Sequence, residues 1–258
     1  VNNGEWRCAK TFFTNGRNHT ISSASGKVLE GFWGRQQVYN SYDTFTVSSS
    51  TDLTFNGTVD WSIYYGTQSR WGMLDMNGHV LTLQAACWLR YAGVQNAVVR
   101  GLDSCGVSST TFKGSTEVRG RVSIHDANVT FENGLTLTDT LQNGGNLGWV
   151  TTYVLDTLIN NGTVRNNPRG RELWIQVDHL KNNGVWNPTK TLLSNGKPHR
   201  LVLAQGKTLE GTWIRQPVWE SYDTLPVTAG SDLTFTGPVD WGISHGTQTW
   251  WGSLDMKR

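Results

Sequence analysis

The chain has 258 residues, a formal net charge of +2, 16% charged residues, 29 Gly and only 6 Pro, with 13 Trp leading its aromatics. That profile fits one elongated or two ordinary folded, turn-rich domains and excludes a disordered chain. Near-balanced charge without a basic block argues against nucleic acid as a partner. No apolar run reaches the roughly 18 residues of a membrane-spanning helix, so no transmembrane segment is expected.

The first 78 residues return later in the chain. Glu30-Gly31-Phe32-Trp33, Ser41-Tyr42-Asp43-Thr44, Val59-Asp60-Trp61 and Leu74-Asp75-Met76 reappear as Glu210-Gly211-Thr212-Trp213, Ser221-Tyr222-Asp223-Thr224, Val239-Asp240-Trp241 and Leu254-Asp255-Met256. The offset is 180 throughout, without a gap, so residues 1–78 and 181–258 are copies of one unit. Residues 79–180 are intermediate coils of the same 180-residue repeat. The sequence has no initiating Met and no signal peptide, which predicts a processed form or an excerpt of about one and a half units.

Helical periodicity is almost absent, and apolar residues alternate instead. Leu81-Thr-Leu83 opens the intermediate region, Val129-Thr-Phe131 and Leu135-Thr-Leu137 come next, and Leu173-Trp-Ile175-Gln-Val177 and Leu201-Val-Leu203 come after. Alternation puts every second side chain on one face of a strand. Between these runs stand Asn-Gly pairs such as Asn15-Gly16, Asn77-Gly78 and Asn161-Gly162, which tolerate positive φ and mark turns. Two-residue hairpins would make an antiparallel β-sandwich of the repeats. Short strands with a turn at every bend also describe a single-stranded parallel β-helix, a β-solenoid.

Three features favour the solenoid, one continuous structure over 1–258. Leu158-Ile-Asn-Asn161-Gly162-Thr-Val164 recurs as Leu180-Lys-Asn-Asn183-Gly184-Val-Trp186, 22 positions later, which is the length of one coil. A gapless long repeat suits a structure extended by stacking. Asn and Thr at fixed coil positions can form ladders between rungs about 4.8 Å apart. At roughly 20 to 25 residues per coil the chain would make on the order of ten to twelve rungs.

The phrases from Leu158 to Gly170 and from Leu180 to Trp186 resemble the long repeat regions of large secreted bacterial surface proteins. That resemblance implies a right-handed parallel β-helix outside the cell, serving as an adhesin shaft or surface fibre. It implies no catalytic residues.

Candidate site residues come from the recurring stretch: Arg35, Tyr42, Asp43, Asp60, Trp61, Gln68, Trp71 and Asp75, with partners Arg215, Tyr222, Asp223, Asp240, Trp241, Gln248, Trp251 and Asp255. Aromatic faces stack on sugar rings while carboxylates, amides and guanidinium groups take hydroxyls, so a glycan groove is one use. Building the coils and fastening each to the next is the other, and it weighs more because both copies must fold. A polysaccharide lyase or glycosidase would need two carboxylates on one face, such as Asp43 with Asp60 or Asp60 with Asp75. Cys87 and Cys105 fall between the copies and could form a disulfide; buried free thiols are the alternative. No Cys-x-x-Cys or His-x-His spacing suggests a metal, and no cofactor motif is present. The expectation is a non-enzymatic extracellular structural repeat protein. Its partner would be itself, by head-to-tail stacking or lateral packing, with glycans as the alternative.

Overall fold

The computed structural model describes the chain except residues 15, 37–44, 66–67, 85–86, 102–104, 115, 126–127, 145–148, 168, 170, 195–196, 216–224, 246–247, 251 and 257–258. Of side chains, those of 63–65, 68–71, 243–245 and 248–250 also lie outside the description. The described residues form strands joined by turns, with no helix. Apart from two local hairpins the pairing among the described residues is parallel, with strands of one coil bonding to strands of the coils before and after it. This is a β-solenoid and not the antiparallel sandwich that the Asn-Gly pairs also allowed. The two antiparallel pairs present, Ser62–Tyr65 with Gln68–Asp75 and Ile243–His245 with Gln248–Trp250, are local hairpins, one in each copy.

Three ladders run along the rod. On the first face Thr11 is followed by Trp33, Val59, Leu89, Val107 and Ile124, and the same face continues from Val122 through Leu141 and Val164 to Trp186. On the second face Val47, Leu74, Val94, Phe112, Phe131, Val154, Val177 and Leu193 stack in one inward column. On the third, Leu53, Leu81, Val99, Val118 and Leu137 do the same. These residues alternate with outward neighbours, so the buried column is the period-2 pattern seen end-on. Phe112 and Phe131 lie face to face at 4.7 Å, as a column of identical rings on parallel rungs requires.

Coil length is less regular than the expected 20 to 25 residues. Only 17 residues separate Val107 from Ile124, while 30 separate Val59 from Leu89. The three faces set the path that each rung must cover, and corners absorb the remainder. In the long coil the surplus leaves as the hairpin from Ser62 to Asp75. Corners are tight where backbone crosses backbone. Gly57 has φ 140°, and a Cβ there would lie 2.2 Å from the Gly31 carbonyl oxygen.

The 22-residue recurrence is one coil, as expected. Leu158 stacks on Leu180, Asn160 on Asn182 and Val164 on Trp186. The Asn ladder is present twice: Asn160 donates to Asn182 at 2.7 Å inside the rod, and Asn183 donates to Asn161 at 2.8 Å outside it.

The 180-residue repeat does not contain a whole number of turns. Eight steps along the first face lead from Thr11 to Trp186. Thr191, the equivalent of Thr11, stands one face further on, paired with Trp213 on the second ladder. His19 is on the second face and its equivalent His199 on the third. The repeat therefore covers eight and a third turns, and equivalent residues of the two copies occupy neighbouring faces.

Candidate functional site

The recurring acidic residues sit at the surface and hold coils together. The Asp60 carboxylate accepts hydrogen bonds from the Ser62 backbone N–H at 3.1 Å and the Ser62 hydroxyl at 2.7 Å, shaping its own turn. Its other oxygen lies 3.2 Å from Arg90 Nε, one coil on. Asp75 accepts from the Asn77 N–H at 3.0 Å and, from the next coil, from Gln95 at 2.6 Å and Asn96 at 3.0 Å. Burial raises the Asp75 carboxyl, but these three donors outweigh it and hold the group below the ordinary carboxylate value. Asp52 completes the set on the third face: Val80 N–H donates to it at 2.9 Å and His79 Nδ1 lies 3.5 Å away.

The other recurring candidates point inward. Arg35 and Arg215 are buried, and the Arg35 guanidinium lies 5.5 Å from the Phe45 ring centroid. Trp61 is fully buried in an aromatic cluster, edge-on to Phe45 at 5.3 Å and to Phe13 at 5.8 Å. Trp241 packs half-buried against Phe235. Asp240 and Asp255 are exposed on the last described coil. Tyr42, Asp43, Tyr222, Asp223 and Trp251 lie outside the described residues, as do the side chains of Gln68, Trp71 and Gln248. A sugar platform running through Trp61 therefore has no exposed ring at that position. Asp60 and Asp75 belong to different faces and do not converge as a carboxylate pair.

The exposed aromatic surface lies elsewhere. A cleft of about 500 Å³ on the first face is lined by Lys10, Phe12, Phe32, Arg35, Gln36, Asp60 and Ser62. The ring of Phe32 lies over Gly34, where a Cβ would meet it at 2.4 Å. In the second copy Phe12, Phe32, Gly34 and Ser62 are replaced by Leu192, Thr212, Ile214 and Gly242, so this cleft is not repeated in kind. A second aromatic surface is Trp149, 53% exposed and stacked on Trp174 at 4.8 Å, with Lys190 Nζ 3.9 Å from the Trp174 ring. Comparing the copies could not find either surface, because it selects what recurs. For the cleft the signal was at positions where the copies differ, while Trp149 and Trp174 lie in the region that the chain contains once.

One cluster has the residue types of a nucleophilic site but not its geometry. Asp178, Ser194 and His199 are all buried together. The Ser194 hydroxyl donates to Asp178 at 2.6 Å, and Lys197 donates to the other carboxylate oxygen at 2.8 Å. Both ring nitrogens of His199 face backbone carbonyls, of Asp178 and of Ser194, each at 2.7 Å. The imidazole is thus committed to the backbone and not to the Ser194 hydroxyl, and the cluster serves as a corner brace.

Cys87 and Cys105 are buried free thiols, not the disulfide that their position suggested. They stand on successive rungs, where the Gly106 N–H donates to the Cys87 carbonyl at 2.9 Å, and both side chains point the same way into the core. Burial, with a smaller push from neighbouring Cys105, raises the Cys87 thiol to about 12. Among the described residues no group of three His, Cys, Asp or Glu side chains is placed to hold a metal ion. No protein-family model, curated protein or solved structure matches the chain.

Proposed function

We propose that this chain is part of an extracellular structural repeat protein, a shaft or fibre at a bacterial cell surface, with no catalytic duty. One observation carries the reading. Among the described residues, many that recur between the copies are spent on the rod itself: Trp33, Trp61, Arg35 and Leu74 fill its interior, and Asp52, Asp60 and Asp75 bind the next coil. A repeat selected for a ligand would instead keep its exposed surface, and the cleft at Phe12 and Phe32 is where the copies diverge. The secreted setting comes from the resemblance of the 158–186 stretch to bacterial surface repeats. Immunogold electron microscopy of intact cells that make the protein tests it. Label on material outside the envelope supports the reading, and label confined to the cell interior overturns it.

A second reading has its own observation. Trp149, stacked on Trp174 beside Lys190, offers an exposed indole face of the kind that holds a sugar ring. Adhesion to a glycan would then be added to the shaft role. Binding on a glycan array that disappears in Trp149→Ala, with an unchanged circular dichroism spectrum, supports this. An array without any signal removes it.

A further inference from the structure

Three arginines that are apart in the sequence share one corner of the rod. Arg100 and Arg119 stand directly opposite each other on neighbouring strands of the third face, Val98–Gly101 and Thr116–Gly120. Arg121 follows at the turn from the third face to the first. The backbones meet closely there: a Cβ on Gly101 would lie 2.2 Å from the Arg121 carbonyl oxygen. All three arginines are exposed. Glu117 accepts from Arg119 Nε at 2.8 Å and from its Nη2 at 2.9 Å, which neutralises one of the three. Among the described residues no ion pair reaches Arg100 or Arg121. Asp139, at the same corner one coil on, accepts from the Thr140 hydroxyl at 3.0 Å. Like charges opposed across neighbouring strands repel each other. The chain's formal charge is only +2, so its positive charge is concentrated at this corner.

Round the corner, on the first face, stands an aromatic pair. Trp88, Gly106 and Ser123 form one outward column on successive rungs. Arg121 and His125 flank Ser123 on its own rung, on the same outward parity. The Trp88 and His125 rings lie 4.5 Å apart over Gly106, where a Cβ would meet His125 at 3.0 Å and Trp88 at 3.2 Å. Both rings are part-exposed. Coils lie on either side of this surface: Thr58–Asp60 pairs with Trp88–Arg90 before it, and Thr140–Asn143 with Val122–Ile124 after it.

We propose that this surface binds an acidic polysaccharide laid along the rod axis. Carboxylates or sulfates of the sugar would take the guanidinium groups of Arg100 and Arg121, and a pyranose face would rest on Trp88 and His125. A lone inorganic anion would need only the arginines. The aromatic pair beside them, spread over three coils, fits a chain of rings. Nucleic acid would call on a larger positive field than this chain carries. The surface lies in residues 79–180, which the chain contains once, so the divergence of the two copies does not bear on it. It is separate from the indole face of Trp149, which belongs to the second face.

Isothermal titration calorimetry of the intact chain with hexagalacturonate and with a heparin hexasaccharide tests this. Maltohexaose serves as the uncharged probe and oligo-dT as the polyanion without the pyranose rings. At least one acidic saccharide should bind about tenfold more tightly than either of these. The double variant Arg100→Gln with Arg121→Gln should weaken it by about tenfold. Arg17→Gln with Lys27→Gln removes two exposed cations elsewhere and should leave the affinity within about twofold. Trp149→Ala should leave it unchanged. Absence of binding by both acidic saccharides overturns the proposal, and so does oligo-dT binding of equal strength. Equal losses in the two double variants would mean attraction to net charge without a site, and would overturn it too. Loss in Trp149→Ala with none in the arginine pair would put the saccharide on the other surface. Each of these results leaves the shaft reading standing, because that reading turns on where the protein is found.

Discussion

Asn160 and Asn161 provide a built-in comparison of one interaction at two burials. Each stacks on its counterpart 22 residues later through a side-chain amide hydrogen bond, at 2.7 Å for Asn160 with Asn182 and 2.8 Å for Asn161 with Asn183. Asn160 is fully buried and uses both ends of its amide: Nδ2 also donates to the Val185 carbonyl at 2.9 Å, and Oδ1 accepts from the Gly162 N–H at 3.1 Å. Asn160→Ala therefore leaves the buried Asn182 Oδ1, and the part-buried Gly162 N–H and Val185 carbonyl, without this partner. At about 1 kcal/mol net for each lost bond, the expected cost is about 3 kcal/mol. Asn161→Ala leaves its partner in water and should cost about 0.5 kcal/mol or less. Asn182→Ala falls between, at about 1 kcal/mol, because Asn182 accepts that one bond while its own Nδ2 has no partner. Urea denaturation followed by circular dichroism gives all three values. An Asn161→Ala loss as large as that of Asn160→Ala would refute the reasoning, since the ladder would then act through its pairing alone and not through burial.

Single sites give three more tests. Asp75 has a folded value below its unfolded one, so its contribution is complete above the ordinary carboxylate value near pH 4 and is lost as pH falls through the folded value; Asp75→Asn should flatten the acid limb of a stability–pH curve and leave stability differences smallest at low pH. Gly57→Ala should cost about 2–4 kcal/mol by thermal denaturation, because the new Cβ meets the Gly31 carbonyl at a backbone angle that L residues avoid, whereas Gly4→Ala, with open space around it, should be silent. Iodoacetamide at pH 8 should modify Cys8 alone in the native chain, and Cys87 and Cys105 only in denaturant, as their burial and the raised Cys87 thiol require; full native labelling by mass spectrometry would contradict this.

The strands, their parallel stacking over 158–186 and the Asn ladder were legible because each depends on local period and on one short recurrence. The coil lengths elsewhere were not. Corners such as those at Tyr91, Asn96 and Ser109 turn on single residues with positive φ, and nothing in the residue types announces where a 17-residue coil replaces a 30-residue one. The candidate residues divided along a line that alternation could have drawn. Val59 and Trp61 share one parity and Asp60 the other, which puts Asp60 at the surface and both neighbours inside. Arg35 defeated the same rule, since a charged residue at an inward position reads as an error of register until Phe45 is seen beside it. Arg90, Gln95 and Asn96 were invisible to any comparison of the copies, because they belong to the part of the unit that this chain contains once.

The phase of the repeat bears on how such rods can associate. If a neighbouring filament gripped the outward residues that recur, such as Lys10 with Lys190 or Asp60 with Asp240, it would have to find them on one side. The registers put Lys10 on the first face and Lys190 on the second, and Asp60 and Asp240 divide in the same way. Eight and a third turns, at about 4.8 Å each, also separate the copies by roughly 40 Å along the axis. A flat partner lying along the rod can therefore touch one copy of such a residue and not the next. Stacking along the axis has no such difficulty, because every coil covers all three faces at once. The same third of a turn sends the hairpin of each copy out at a different edge, between the first and second faces for Ser62–Asp75 and between the second and third for Ile243–Trp250. Recurring outward residues, and the two hairpins, are thus presented around the solenoid instead of along one side.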